Sequence, residues 1–394
     1  MKDPISGRTA ICGLGITPMG RIYDRSVDSF AAEAILLACA DAGIDKDRLD
    51  GLLINSGVTG YTGGGISLAL QGYLGLRNLR LLNHMNAMGA TAPSMVQFAA
   101  LAVHHGMADY VACVFADAPL QAGTGSAASY SGRHRQPTGM ASLDPAFGFF
   151  GATTGYALAA RRYMETYGVG QDKLGLVAVA QRAWALLNPH ATMHKPLALE
   201  DYHASRWVVE PFHLLDCCLV SNGAVAVIVT RADRARDARA APAYILGMGQ
   251  GHPGNFPHAD VETGTTSGAV LAGRDALAMA GLGLADIDVC EFYDCYTYTV
   301  LRTLEDYGFC GRGEAGDFIA DGRTRPGGAF PLNTGGGQLS SFYMWGMTPL
   351  SEGVIQARGS GGARQVARHD AVLVSGNGGV LDTHGTLILG PDPG

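Results

Sequence analysis

Four short segments of this 394-residue chain carry residue types able to move protons or to hold a developing negative charge. They are Asn83-His-Met-Asn-Ala-Met-Gly89, Tyr293-Asp-Cys-Tyr296, Asn333-Thr-Gly-Gly-Gly-Gln-Leu-Ser-Ser-Phe-Tyr-Met-Trp-Gly346 and Ser375-Gly-Asn-Gly-Gly379. A phenol such as Tyr293 or Tyr343 donates a proton, or accepts one when its pKa is lowered. The amide of Asn86 forms no acyl-enzyme, but it can position a substrate, or offer a backbone N–H at a helix start to an oxyanion. Gly378 and Gly379 let the backbone come close to a ligand. Asp294 either orients Tyr293 or is an ordinary cap. His84 either lines the pocket of Asn86 or is a satisfied core histidine. His384 follows the last glycine segment, and Cys295 reads as structural.

Two copies of one unit are expected to position these segments. Thr9–Ile16 is an apolar run entering a loop, Ser29–Ala42 has helical spacing stopped by Gly43, and Leu52–Ile54 is a second strand. Together they form a βαβ unit and predict a parallel sheet. Ala42-Gly-Ile44 and Asp50–Ile54 recur 238 residues later as Ala280-Gly-Leu282 and Asp288–Phe292. A helix opened by Gly89 and a strand led by Asp109 recur as a helix opened by Gly346 and a strand led by Asp370, at offsets of 257 and 261. The same 257 takes Asn86 to Tyr343, each three residues before its helix-opening glycine. Duplication explains this best. The halves are 1–239 and 240–394, joined through the charged connector Arg231–Arg239. The first half carries an insertion at about 118–210, with a loop at Gly123–Gly132 and helices near Thr154–Tyr167 and Leu174–Leu187, a usual place for substrate contacts.

The four segments, with Leu214-Leu-Asp-Cys-Cys-Leu-Val-Ser-Asn-Gly-Ala-Val-Ala-Val227, resemble the thiolase superfamily, and within it the lipid-transfer-protein branch related to the sterol-carrier-protein thiolases. The segment at 214–227 resembles the family's LxxCCxxSDGAAAV, Tyr293–Tyr296 its HDCF box, Asn333–Gly346 its NxxGGxxxxGHPxG loop, and Ser375–Gly379 its C-terminal cysteine-and-glycine loop. The resemblance covers nearly the whole chain. It implies an α/β thiolase fold, two βαβ-containing halves forming a five-layered αβαβα sandwich, with a coenzyme A thioester substrate and a homodimer.

The chain departs from that family where thiolase chemistry resides. Asn86 stands in place of the nucleophilic cysteine of NxxCASG, Tyr293 and Tyr343 in place of two histidines, and no thiol remains in 375–379. Acyl transfer through that cysteine is lost. Two phenols and an oxyanion site suffice for a retro-aldol cleavage, in which a β-hydroxyacyl-CoA gives a ketone and a thioester enolate that is then protonated. The residue types do not decide which tyrosine is base and which is acid; Tyr343 is the expected base. This resembles the steroid side-chain aldolases, and so implies a bulky, steroid-type thioester, release of a short acyl-CoA such as propionyl-CoA, and a partner with an OB-fold domain, often with a zinc ribbon, of a steroid enoyl-CoA hydratase. Two other readings stand beside it: a non-catalytic lipid- or acyl-CoA-binding subunit, and an acyltransferase using another cysteine such as Cys295.

Composition limits the alternatives. Apolar residues are 47 %, charged residues 16 % and net charge is −7, so the chain reads as a core-rich globular protein with no basic face for nucleic acid. No apolar run is long enough for a membrane span, and the start has no signal-peptide core. The eight cysteines form no CxxC pair and read as reduced, with no metal site, which suggests a cytoplasmic protein. No permanently bound cofactor is expected; coenzyme A enters as part of the substrate. Thr62–Gly65 lacks the lysine of a phosphate cradle, and Arg133 and Arg135 are possible contacts for the coenzyme A moiety.

Overall fold

In the computed structural model the described residues are 5–57, 66–126, 129, 138–149, 151–254 and 264–394. Thr62–Gly65, Arg133, Arg135 and part of the Gly123–Gly132 loop lie outside them. The first half contains β1 (Thr9–Ile16), α1 (Val27–Ala42), β2 (Gly51–Ser56), α2 (Ile66–Leu74), β3 (Leu81–His84), α3 (Thr91–His104) and β4 (Tyr110–Asp117). The insertion helices α4 (Ala152–Tyr167) and α5 (Gln171–Ala185) follow, and then β5 (Gly223–Arg231). The second half contains β6 (Ala243–Gly251), α6 (Ala269–Ala280), β7 (Val289–Glu291), α7 (Thr297–Tyr307), α8 (Met347–Ala357), β8 (Val372–Gly378) and β9 (Thr383–Gly390).

The strands form one mixed sheet in the order β3-β2-β4-β5-β1-β6-β9-β8-β7. Strand β2 pairs in parallel with β3 and β4, and β7 with β8. The pairings from β4 through β5, β1, β6 and β9 to β8 are antiparallel, so the expected parallel sheet holds only at the two ends. Read outward from the junction of β1 and β6, each half runs through the equivalent strands, so the duplication is visible in the topology itself. Only two residue pairs, Ala10↔Tyr244 and Ile11↔Ala243, join β1 to β6. Alternate residues of the strands face two separate cores. Ile11, Val111 and Cys113 enter an inner cluster with Met95 of α3 and Leu350 of α8. Ala10, Cys12, Ala112 and Val114 enter an outer one with Phe30 and Ile35 of α1. Strands apolar on both faces are what a sheet covered on both sides requires. Helices α3 and α8 touch each other and strands of both halves, while α1 lies against β1, β5 and β4, and α6 against β6 and β9. These are the five layers. Helix α7 takes the outer position that α2 has in the first half, but α5 packs over it, so every residue of α7 is buried.

Local bonds repeat with the sequence. Helices α1 and α6 end on Gly43 (φ 73°) and Gly281 (φ 70°), where the N–H groups of Ile44 and Leu282 bond back to Cys39 and Leu277. The Asp50 carboxylate accepts from the N–H groups of Asp109 and Tyr110, and that of Asp288 from Asp370 and Ala371. The repeated aspartates thus tie the start of one parallel strand to the start of its neighbour. The halves differ at their third strand: where the first has β3, the second coils into a helical turn, Gly337–Ser341. Helix α3 begins at Thr91, two residues after its glycine, and the N–H groups of Ala90 and Thr91 bond back to Ala87 and Met88 in the turn that enters it.

Candidate active site

The parallel strands deliver the candidate residues. Asn86 follows the end of β3, Tyr293 follows the end of β7, and Gly378 ends β8. Loops at such carboxyl ends are where open α/β sheets hold ligands. Tyr343 arrives instead from the loop before α8. The two phenol oxygens lie 3.2 Å apart. Tyr293 is only 4 % exposed and Tyr343 is half-buried.

The segments entering α3 and α8 are copies in conformation as well as in sequence. Met88 (φ 51°) and Trp345 (φ 48°) both occupy the left-handed region, which L side chains seldom adopt. The N–H of Ala87 bonds to the Thr91 hydroxyl and that of Met344 to the Thr348 hydroxyl. Gly89 is a point of close approach between the halves. A Cβ there would sit 2.2 Å from the Asn377 carbonyl oxygen and 2.3 Å from the ring of Tyr293, and the Gly89 carbonyl lies 2.2 Å from where a Gly346 Cβ would be. Glycine is needed at both for the elbows to meet. A Cβ on Gly378 would lie 2.6 Å from Met88 Cβ and 2.7 Å from the Ala87 carbonyl. Tyr293, Tyr343, the Asn86 elbow and the Gly378 turn therefore meet at one place.

Asn86 does not stand at the helix N-terminus, which lies five residues on at Thr91. Its Oδ1 instead accepts from the Met88 N–H at 3.0 Å, and the residue is exposed. It is an element of the turn, not of a helix start. The N–H of Gly379 reaches Met88 Sδ at 3.1 Å, and sulfur is a weak acceptor that a thioester oxygen can displace. The segment 375–378, expected as loop, is strand, with Asn377 opposite His384.

Asp294 turns away from the tyrosines. Its carboxylate accepts from Gln338 N–H at 2.9 Å and Leu339 N–H at 3.2 Å, capping the turn that leads to Tyr343. It is thus a cap, but of another segment rather than of its own helix. Burial pushes its pKa up to about 7 against those bonds. His84 is exposed at the end of β3, opposite Ile54, and is not a core histidine. His384 is buried, with Nε2 2.9 Å from the Tyr307 hydroxyl, and burial lowers its pKa to about 3. Cys295 is buried, which pushes its thiol far above the ordinary thiol range. A thiolate is the nucleophile, so this geometry disfavours acyl transfer through Cys295. All eight cysteines are free thiols.

Residues that hold the site include part of the 214–227 segment, whose resemblance marked it but whose role only the structure shows. The segment 217–221 runs between the two tyrosine boxes. Cys218 N–H donates to the Cys295 carbonyl and Leu219 N–H to Gln338, while the Ser221 hydroxyl accepts from Tyr343 N–H at 3.2 Å. Asn377 and Tyr156 are further such residues. Asn377 stood among the glycines of 375–379, but nothing near Tyr156 in the sequence marks it.

Comparison with known proteins gives relatives spanning the whole chain. Residues 254–391 match the family described as thiolase C-terminal domain-like. A steroid side-chain-cleaving aldolase of Thermomonospora curvata is 38 % identical over 98 % of this chain and 99 % of its own length. A 17-hydroxy-3-oxo-4-pregnene-20-carboxyl-CoA lyase of Mycobacterium tuberculosis is likewise 38 % identical, over 98 % of this chain and all of its own. Among solved structures, one described as an Ltp2-ChsH2(DUF35) aldolase superposes with a TM-score of 0.86 at 36 % identity, covering 98 % of both chains.

Proposed function

The chain belongs to the thiolase superfamily, in the branch of the steroid side-chain-cleaving aldolases, and we propose that Tyr293 and Tyr343 carry out its retro-aldol cleavage of a steroid-type β-hydroxyacyl-CoA. The products are a ketone and a short acyl-CoA, propionyl-CoA when the α-carbon bears a methyl group. The observation that carries the reading is the 3.2 Å contact between the two phenol oxygens at the meeting point of both halves. Tyr343 accepts the β-hydroxyl proton as the C–O bond becomes a carbonyl and the Cα–Cβ electrons pass to the thioester. Its own proton moves to Tyr293, whose proton goes to Cα. One O–H is lost and one C–H gained. The relay runs in one step, so the thioester develops enolate charge without a free enolate and neither phenol ionises, which avoids the cost of a buried phenolate. The assignment of Tyr293 to the enolate end is supported by its ring lying against Gly89 and by the Asn377 amide, next to Gly378, donating to its backbone carbonyl. The Gly379 N–H and the Asn86 turn are the donors proposed for the enolate oxygen, with Gly378 giving it room. Asp294 serves by fixing the turn before Tyr343, and His84 belongs to the exposed rim.

We further propose a homodimer, supported by β3, an edge strand not paired on its outer side by any described strand. The similar aldolase structure carries a DUF35 component, which supports a hetero-complex of this chain with a DUF35 partner, proposed to be of OB-fold type and part of a steroid enoyl-CoA hydratase. Among the described residues no helix is long and apolar enough to cross a membrane, and the free thiols favour a reducing, cytoplasmic setting.

The test is incubation of the chain and that partner with 17-hydroxy-3-oxo-4-pregnene-20-carboxyl-CoA. Formation of the 17-ketone and propionyl-CoA is expected, with kcat falling about 10²–10⁴-fold in Tyr293→Phe and in Tyr343→Phe. No ketone, with the thioester bound intact, points to the non-catalytic carrier; unchanged rates in both variants refute the mechanism.

A further inference from the structure

The turn between β8 and β9 is strained. Gly379 (φ 64°), Val380 (φ 60°) and Leu381 (φ 72°) are three consecutive left-handed residues, one of them β-branched. Such a conformation persists only where its surroundings over-determine it. Two adjacent residues of α4, in the insertion, hold it from both sides. Gly155 lies under Val380, whose Cγ2 would be 2.8 Å from a Cβ at that position. The Tyr156 hydroxyl donates to Asn377 Oδ1 at 2.8 Å. That bond fixes which way the Asn377 amide faces, and its Nδ2 then donates to the Tyr293 carbonyl at 3.4 Å. Tyr156 is itself immobilised: its ring packs on Tyr296 with centroids 4.9 Å apart, and Tyr296 stacks on Phe212 at 4.7 Å. Burial keeps its phenol neutral and so a donor.

We infer that Tyr156 and Asn377 are positioning residues that lock the Gly378–Gly379 turn and Tyr293 into one frame, so that helix α4 of the insertion sets the geometry of the reaction through them. The inference rests on the aldolase reading of the tyrosine pair. A phenol was needed here rather than a smaller donor because it spans from α4 to the sheet.

The test uses the full chain with its partner and the steroid thioester above. Tyr156→Phe removes one hydroxyl and leaves the ring packing intact. It is expected to lower kcat about tenfold or more while KM stays within about threefold, and to speed amide hydrogen exchange in 376–382 about tenfold. Asn377→Leu is expected to do the same, and the double variant to be no slower than the slower single, since both break one linkage. Unchanged kcat and exchange in Tyr156→Phe overturn the inference, as does a double variant whose losses multiply. If the unsubstituted protein forms no ketone, the aldolase reading fails instead. Amide exchange then still reports on the lock by itself, and unchanged exchange in Tyr156→Phe overturns that as well.

Discussion

Gly89→Ala tests whether the convergence of the two halves sets the rate. The backbone of Gly89 is outside the left-handed region, so alanine meets no conformational penalty and the effect is steric. Its Cβ would lie 2.2 Å from the Asn377 carbonyl oxygen and 2.3 and 2.4 Å from two ring carbons of Tyr293. Ordinary carbon contacts are about 3.5–4 Å, so ring or elbow must move by more than about 1 Å. The Asn377 carbonyl blocks one way out. A displacement of that size breaks the 3.2 Å contact between the phenols and misaligns a reacting group, which costs about 10²-fold in rate. Overpacking costs about 1–3 kcal/mol of stability, offset by about 0.4–1 kcal/mol from the stiffer unfolded chain. The expected result is therefore a folded protein with a somewhat lower Tm and a kcat down about 10²-fold, read from initial rates and a thermal melt. Gly72→Ala is the control: Gly72 lies in α2 with open space where a Cβ would go, and alanine there should stabilise by up to about 1 kcal/mol without changing the rate. A Gly89→Ala protein that is folded and within threefold of the original kcat would refute the argument.

His384 is held neutral by burial, its pKa lowered from 6.5 to about 3. The unfolded chain gains a proton below 6.5 that the fold refuses, so its contribution is fully present above 6.5 and is lost as pH falls toward 3. Denaturant unfolding between pH 4 and 6.5 is expected to be less pH-dependent in His384→Gln, by up to about 1.4 kcal/mol per pH unit; an unchanged slope would sink the assignment. Asp294 acts in the opposite sense. With its pKa raised to about 7 by burial, it contributes stability that falls as pH rises from about 4 to 7, and Asp294→Asn is expected to remove that decline. Mass spectrometry of the chain after incubation with an acyl-CoA should show no covalent adduct, because the Cys295 thiol is kept protonated by burial; an acyl group on Cys295 would return the acyltransferase reading.

The sequence alone determined the duplicated α/β fold, because repeats such as Asp50 and Asp288 reflect hydrogen bonds that each half makes within itself. It also determined that no thiol stands at the elbow and that two phenols replace two histidines, since residue identity at a repeated position needs no coordinates. What type and spacing left open at Asp294 and His84 depended on neighbours far along the chain. Asp294 caps residues 338–339, and His84 ends an exposed edge strand. Asn86 misled in one respect: the helix starts only at Thr91 and the Asn86 amide takes the Met88 N–H, so the asparagine serves a turn rather than a helix start. Only the tertiary structure put Tyr293 against Tyr343 and Tyr156 against Asn377, 221 residues away in the chain. Such contacts come from closure of two half-sheets over α3 and α8, and closure depends on the space left by Gly89 and Gly346, which no local pattern records.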